Sequence, residues 1–334
     1  MSSSAKVYPL KFRPRFVEKI WGGHKLDTVL GKPLPTGKLI GESWELYDFP
    51  PGVVENSDQW VSSEIANGAL TGRSLHWAVQ ELGADLYGSI SLSGQHGQFP
   101  ILIKFLDARE DLSVQVHPDQ TYVDANPSAH LKTEAWYVIQ TDPRSRLLGG
   151  LKPQITRNEF ERALRNGTVD RLIESVSAEA GDCFYLPSGT VHALGAGMLV
   201  AEVQTPSDTT FRVYDFGRIN PSTGAQRKLH VEEALQCIDF GASGAVKAVD
   251  VASSTLVESP FFSLHRRTLS KGTQKLEQER PCVLIVVEGA GCVRTGDDWV
   301  PVNHGEVVLI PAAARAPHVE VDAGCAWLEV TFPS

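Results

Sequence analysis

The sequence predicts a mainly β protein built from two barrels with a small helical insertion. Three observations predict it. Twenty prolines and 29 glycines fall among many short Val/Ile/Phe runs, the pattern of strands and turns rather than of a helical bundle. The segment Gly181-Asp-Cys-Phe-Tyr-Leu-Pro187 recurs as Gly305-Glu-Val-Val-Leu-Ile-Pro311, each an acidic turn followed by a strand and a proline stop. A chain of 334 residues with 42% hydrophobic side chains can bury large cores, most simply in two or three units.

The expected division is residues 1–98, an N-terminal segment giving strands and a helix to the first barrel; 99–240, the first barrel itself; and 241–334, the second barrel. In the N-terminal segment the apolar run after Ser74 predicts a helix to about Leu82. The insertion occupies about 156–176. Thr156-x-x-Glu159 is a capping-box pattern after Pro153, Phe160 and Leu164 lie at i and i+4, and Gly167 is placed to end the helix. A second short helix is expected from Thr168 to about Ser175, with Val169, Leu172, Ile173 and Val176 on one side. Together these helices are expected to cover one end of the first barrel and to wall its site, with a purely structural role as the alternative.

Chemistry concentrates in that barrel. Gln115 and His117 stand at i and i+2 in the apolar alternation of Val114 and Val116, so in a strand both side chains leave the same face. Glu134 opens the strand-like run Ala135-Trp-Tyr-Val-Ile139, and His192 follows Cys183–Leu186 and the Pro187-Ser-Gly189 turn. Three neighbouring strands can then aim an amide oxygen, two imidazoles and a carboxylate at one point, the donor set that a zinc-like cation takes from a protein. Taken singly, each of these residues would read as a hydrogen-bonded interior side chain; their joint occurrence carries the metal reading. The second copy of the repeat differs. Five residues beyond its proline stands Ala316 where the first copy has His192, and no Gln-x-His-Pro precedes it. His265 and His318 lack a matching carboxylate and read as surface or packing residues, so the second barrel is expected to hold no metal.

On these motifs the chain resembles the type I mannose-6-phosphate isomerases of the short bacterial kind, members of the cupin superfamily. The resemblance runs from Lys11 to about Phe332, through Glu18-Lys-Ile-Trp-Gly-Gly23, Gly41-Glu-Ser-Trp-Glu45, Lys104-Phe-Leu-Asp-Ala-Arg109, the Gln-x-His-Pro-Asp segment, Lys132-Thr-Glu134, the Gly181-to-His192 motif and Ser207-Asp-Thr-Thr-Phe-Arg212. It implies two cupin-like jelly-roll barrels and one zinc per chain on Gln115, His117, Glu134 and His192. It also implies a phosphorylated sugar substrate, mannose 6-phosphate interconverting with fructose 6-phosphate through a cis-enediol. Such an isomerase needs an acid/base within hydrogen-bond reach and stabilisation of the enediolate oxygens.

Lys104, Lys132, Asp208 and Arg212 are the candidates for those roles. Lys132 lies two residues before Glu134 and so shares its face in a strand. Lys104 is an isolated cation in the apolar run Ile101–Leu106, expected to meet an anion or line a cavity. Asp208 and Arg212 keep the spacing seen in type I isomerases, and arginine can hold two oxygens without losing its proton. His130 offers a further base, displaced by one residue from the His-Lys order of longer family members. With no Walker-type loop, the phosphate falls to side-chain cations, of which Lys132, Arg212 and Arg218 are nearest in motif terms, or to backbone N–H groups. The competing readings are a non-catalytic sugar-binding cupin that retains its metal, an isomerase of a different sugar, and an iron oxygenase, which Gln115 in place of an imidazole disfavours.

Charge and cysteines bound the rest. A net charge of −9 argues against nucleic acid or an anionic membrane as partner. Five cysteines without CxxC pairing argue against a disulfide framework and fit reduced thiols in a cytoplasm. Residues 1–8 lack an apolar export core, and no stretch approaches the roughly 18 apolar residues of a membrane span. A soluble cytoplasmic monomer or weak homo-oligomer is expected.

Overall fold

Antiparallel pairing organises the protein, whose computed structural model describes residues 7–54, 57–94, 96–220, 223–242, 244–249 and 254–333. The first six residues, on which the reading of the N-terminus partly rests, lie outside the described residues. A seven-stranded sheet runs in the order Ala248–Val249, Cys183–Leu186, Glu134–Thr141, Met198–Gln204, Leu102–Ala108, Ile40–Leu46, Arg15–Gly23. A five-stranded sheet runs Ile173–Ser177, Arg146–Leu151, His192–Ala193, Val114–Val116, Phe211–Tyr214. The inward faces of these two sheets meet in one cluster that includes Leu106, Trp136, Val138, Leu147, Phe184 and Val200, which makes them the first barrel.

Because side chains alternate along a strand, the other face of the seven-stranded sheet is apolar too. Phe105, Tyr137, Leu199, Ala201 and Val203 pack in a single core with Leu264, Val283, Ile285, Leu328 and Val330 of the nine-stranded sheet that forms the second barrel. The interior of the second barrel is filled by Leu284, Val286, Val293, Val302, Val308 and Trp327. The repeat seen in the sequence is a structural one. Cys183–Leu186 and Val307–Ile310 are equivalent four-residue strands, each entered through a glycine in the left-handed region, Gly181 at φ 98° and Gly305 at φ 80°.

Two short strands cross the expected boundaries. Leu10–Lys11, from the N-terminal segment, pairs with Val308 and Leu309 of the second barrel, whereas Ala248–Val249, from beyond residue 240, pairs with Cys183 and Phe184 of the first. Each covers the open edge of the strand that carries the repeat, and so removes an unpaired row of backbone donors and acceptors.

The helix Leu75–Leu82 forms where expected, with Ser74 as its N-cap accepting from the Trp77 amide. So does Arg157–Asn166, which carries the complete capping box of Thr156 and Glu159 and ends at Gly167 with φ 65°. The second helix of the insertion does not form. Val169–Leu172 is one 3-10 turn, and Ile173–Ser177 is a strand against Arg146–Leu151. β-Branched Ile173 and Val176 suit a strand, and an open sheet edge offers inter-strand hydrogen bonds that an isolated two-turn helix cannot match. The insertion also lies elsewhere than expected. Phe160, Ala163 and Val169 pack on Val114, Val116, Phe211 and Val213, the outer face of the five-stranded sheet, so the insertion backs that sheet and does not wall the site. Two further short helices, Gln120–Ala125 and Val231–Cys237, carry no strong sequence signal.

The capping box gives a direct test. Thr156→Ala removes the acceptor for the Glu159 amide and should cost about 1 kcal/mol in urea denaturation. Thr168→Ala, at a 3-10 turn whose first residue makes no side-chain cap, should stay within about 0.5 kcal/mol of the parent.

Candidate metal centre and its cleft

Register brings the site together. In the five-stranded sheet His192 pairs with Gln115, and Gln115 pairs with Arg212, so the three side chains form one row on the inward face. In the seven-stranded sheet Glu134 pairs with Gln204, and one step along, Trp44, Lys104, Glu202 and Trp136 form a second row. His117 lies one residue past the strand Val114–Val116 and still faces inward.

At the meeting of these rows His117, Glu134 and His192 are buried, and their ligating atoms all lie within 4.8 Å of one another. His117 Nε2 is 3.2 Å from Glu134 Oε2, and His192 Nε2 is 3.0 Å from Glu134 Oε1. Despite these distances, His117 Nε2 and both Glu134 oxygens have no hydrogen-bond partner. Buried polar atoms this close without an N–H···O alignment are lone pairs aimed at a common point, which is what a cation requires. His192 Nδ1 lies 2.9 Å from the Thr190 carbonyl oxygen; an Nδ1–H donated there leaves Nε2 as the lone-pair atom. The Gln115 amide nitrogen lies 3.4 Å from His192 Nε2, and turning the amide over would present its oxygen instead. The residues present therefore fit a metal ion.

Electrostatics keeps these groups in their ligating forms. Burial, with the Lys132 ammonium adding to it, pushes the His117 pKa down to about 3, so its imidazole is neutral. Burial opposes ionisation of Glu134, but Lys132 and His117 outweigh it and hold the carboxyl well below the usual range. Lys132 Nζ lies 3.0 Å from Glu134 Oε2 although Lys132 precedes the strand and is not part of it.

Beside this group lies a chain of buried charges. Lys104 Nζ is 3.2 Å from Glu202 Oε1 and 3.8 Å from Glu42 Oε2, and Lys19 Nζ is 2.9 Å from Glu42 Oε1. The Trp44 indole donates to Glu42 and the Trp136 indole to Glu202. The isolated cation in the apolar run thus meets its anions. The two carboxyls diverge. Burial raises both, but Lys104 and Lys19 overcome it at Glu42, whose pKa falls below the usual range, whereas the Glu134 charge adds to burial at Glu202 and its pKa is raised.

Asp208 stands at the mouth of the cleft. Although open to solvent, it is ringed by enough protein that desolvation, then the Glu42 charge, raises its carboxyl pKa against the pull of Lys104, Lys19 and Lys132. Arg212 donates from Nε to Ser113 Oγ at 3.2 Å and from Nη1 to the Lys228 carbonyl at 3.0 Å. Arg218 is held instead by Asp215, together with Arg227. Glu202 was not singled out from the sequence, and Lys19, Glu42, Trp44 and Trp136 stood there only within motifs or strand runs, without a role at the site. Glu202 carried the signal already used for Lys104, a lone charge in an apolar run, Met198–Val203.

Comparisons with known proteins agree with this geometry. Residues 10–143 match the family model of the phosphomannose isomerase type I catalytic domain, and 252–327 match that of the mannose-6-phosphate isomerase cupin domain. A mannose-6-phosphate isomerase of Streptococcus mutans is 34% identical over 314 residues, covering 92% of this chain and 94% of that protein. Mannose-6-phosphate isomerase ManA of Bacillus subtilis is 35% identical over 325 residues, covering 95% and 97%. The crystal structure of the mannose 6-phosphate isomerase from Bacillus subtilis matches with a TM-score of 0.83 at 29% identity, over 97% of this chain and 99% of that one. Relatives of this identity over nearly the whole length, together with a buried His/Glu/His group in the first barrel, establish that the chain belongs to the type I mannose-6-phosphate isomerase family.

Proposed function

We propose that the protein interconverts mannose 6-phosphate and fructose 6-phosphate, with one zinc ion held by Gln115, His117, Glu134 and His192. The observation that carries this reading is the buried group of His117, Glu134 and His192, with ligating atoms within 4.8 Å of one another, set beside the Lys104–Glu202 pair. A metal kept for shape alone would not need a buried acid–ammonium pair against it. When bound, the ion supplies a positive centre that orients and polarises substrate oxygens.

The chain's own residues account for the proton. The aldose must lose the proton on the carbon next to its carbonyl and regain one at the former carbonyl carbon. Glu202 Oε1 is the atom assigned to take and return it: Oε2 accepts from the Trp136 indole, whereas Oε1 faces the Lys104 ammonium at 3.2 Å, and burial gives the carboxyl a raised affinity for protons. Lys104 and Lys132 are assigned to the enediolate oxygens, with Arg212 providing a planar two-point contact that keeps its charge throughout. Asp208, with its raised pKa at the cleft mouth, is assigned to proton donation in ring opening. The substrate phosphate is left to these cations, since Arg218 is engaged by Asp215. We further place the protein in the cytoplasm, as a monomer or weak homo-oligomer; the free cysteines support a reducing compartment, with burial pushing the Cys183 thiol up to about 12 and raising that of Cys282 as well. No helix among the described residues is long and apolar enough to cross a membrane.

A coupled assay on mannose 6-phosphate with elemental analysis of the same preparation tests the whole reading; zinc-loaded protein without turnover would leave a binding module. His192→Ala should lose stoichiometric zinc and activity together while the barrel stays folded, because three donors bind far less tightly than four. Glu202→Gln should lower kcat by about 100-fold or more with zinc retained. A general base works only when deprotonated, so in the parent kcat/KM should fall with decreasing pH, and Glu202→Gln should abolish that limb. Arg212→Lys should cost about 100-fold in turnover with zinc still bound. If Arg212 only ties Ser113 to the Lys228 carbonyl, the same change would cost about 1 kcal/mol of stability and leave turnover intact.

A further inference from the structure

Glu202 can serve as a base only while one of its oxygens is held toward the substrate, and the last torsion of a glutamate is broad and roughly two-fold. Two polar groups among the described residues meet its carboxylate: Oε1 faces Lys104 Nζ at 3.2 Å, and Oε2 accepts the Trp136 indole N–H at 3.0 Å. They do not constrain it equally. An ammonium on a flexible stem turns its donors freely, and Lys104 is shared with Glu42 at 3.8 Å. An indole carries a single N–H fixed in the plane of a rigid ring, so the oxygen that accepts it is fixed in direction. The indole is therefore the contact that selects which Glu202 oxygen is left for a proton.

Trp136 is in turn held by its surroundings. It is fully buried in the strand Glu134–Thr141, opposite Glu202 on one side and Phe184 on the other, and packs with Leu106, Val138 and Leu147. Its ring stands edge-on to the His192 imidazole, with centroids 5.3 Å apart and planes at 81°. One rigid plate thus touches both the carboxylate assigned to the proton and an imidazole assigned to the metal.

Two other tryptophans show that this is more than packing. Trp327 is equally buried in the interior of the second barrel, and its indole nitrogen has no hydrogen-bond partner among the described residues. Filling a barrel does not by itself put an indole N–H on a carboxylate. Trp44 does hold a carboxylate, that of Glu42 at 2.7 Å, but its ring lies edge-on to Tyr47 and Phe49.

We propose that Trp136 is a positioning residue of the isomerisation, its indole N–H orienting the Glu202 carboxylate so that Oε1 faces the reacting carbons and its ring keeping that carboxylate in fixed relation to His192. This rests on the assignment of Glu202 as the proton carrier. Trp136→Phe keeps an aromatic ring against His192 and removes the donor. In the zinc-loaded, full-length protein it should lower kcat per bound zinc by about tenfold or more, because a misaligned base slows the chemical step. KM for mannose 6-phosphate should stay within about twofold of the parent, since ground-state binding is untouched. With substrate deuterated at C2, the isotope effect on kcat should be as large as in the parent or larger, because proton transfer is the step slowed. Introduced into Glu202→Gln, Trp136→Phe should cost less than about twofold more, whereas a packing role would cost the same in both backgrounds. Should Trp136→Phe fail to fold, replacing the indole by benzothiophene, which keeps the bicyclic shape and puts sulfur in place of the N–H, gives the same comparison. The proposal is overturned by parent-like kcat in the zinc-loaded variant, by a smaller isotope effect, or by the full loss recurring in the Glu202→Gln background. A parent without turnover, or a Glu202→Gln variant that retains it, would overturn the Glu202 assignment and the proposal with it, and is told apart because it shows with Trp136 intact.

Discussion

A carboxylate without water must be paired, and Glu134 is the carboxylate around which the first barrel is built. It is fully buried at the junction of two sheets, and several kcal/mol of lost hydration have to be offset there. Lys132 meets one of its oxygens, the two imidazoles face both, and a cation at the point where they converge would complete the balance. The same constraint governs the neighbouring row. Lys104 is buried in an apolar strand because Glu202 stands opposite it on one adjacent strand and Glu42 lies two residues from its partner Trp44 on the other, and each carboxylate is steadied by an indole N–H from a tryptophan in that row. Removing any one charge leaves an uncompensated neighbour, so the row behaves as a unit.

From this crowding comes functional asymmetry. Glu42 and Glu202 flank the same ammonium, yet Glu42 also has Lys19 and is held ionised, whereas Glu202 also feels Glu134 and has a raised affinity for a proton. Two like groups in unlike fields thus differ in their hold on a proton, one lowered and one raised, the kind of difference that the proposed acid–base chemistry uses. Trp136 ties this division to the metal side, since its ring also stands edge-on to His192 at 5.3 Å.

The second barrel repeats the architecture without the charges. Its strand Val307–Ile310 matches Cys183–Leu186 in length, entry glycine and closing proline, but its interior is aliphatic around Trp327. Its outward face supplies half of the large core against the catalytic sheet, and each barrel lends the other a two-residue strand that seals the edge bearing the repeat. The barrel that carries the His117, Glu134 and His192 group is thereby supported from behind by apolar contact, which leaves its interior free for groups that contribute little to stability.

Local chemistry was legible in the sequence because it depends on neighbours within a few residues. Alternation placed Gln115 and His117 on one face, the capping box and Gly167 bounded a helix, and the repeat announced two barrels. A lone lysine in an apolar run was legible as a buried charge seeking an anion, but which anion was not, since Glu42 and Glu202 lie 62 residues before and 98 after Lys104 and only strand register sets them beside it. Sequence likewise misjudged the stretch after Gly167, where a sheet edge outbid a short helix, and the placement of the insertion on the outer face. Spacing along the chain fixes which face a side chain takes; pairing between distant strands decides what that face meets, because the long-range register is a property of the whole sheet.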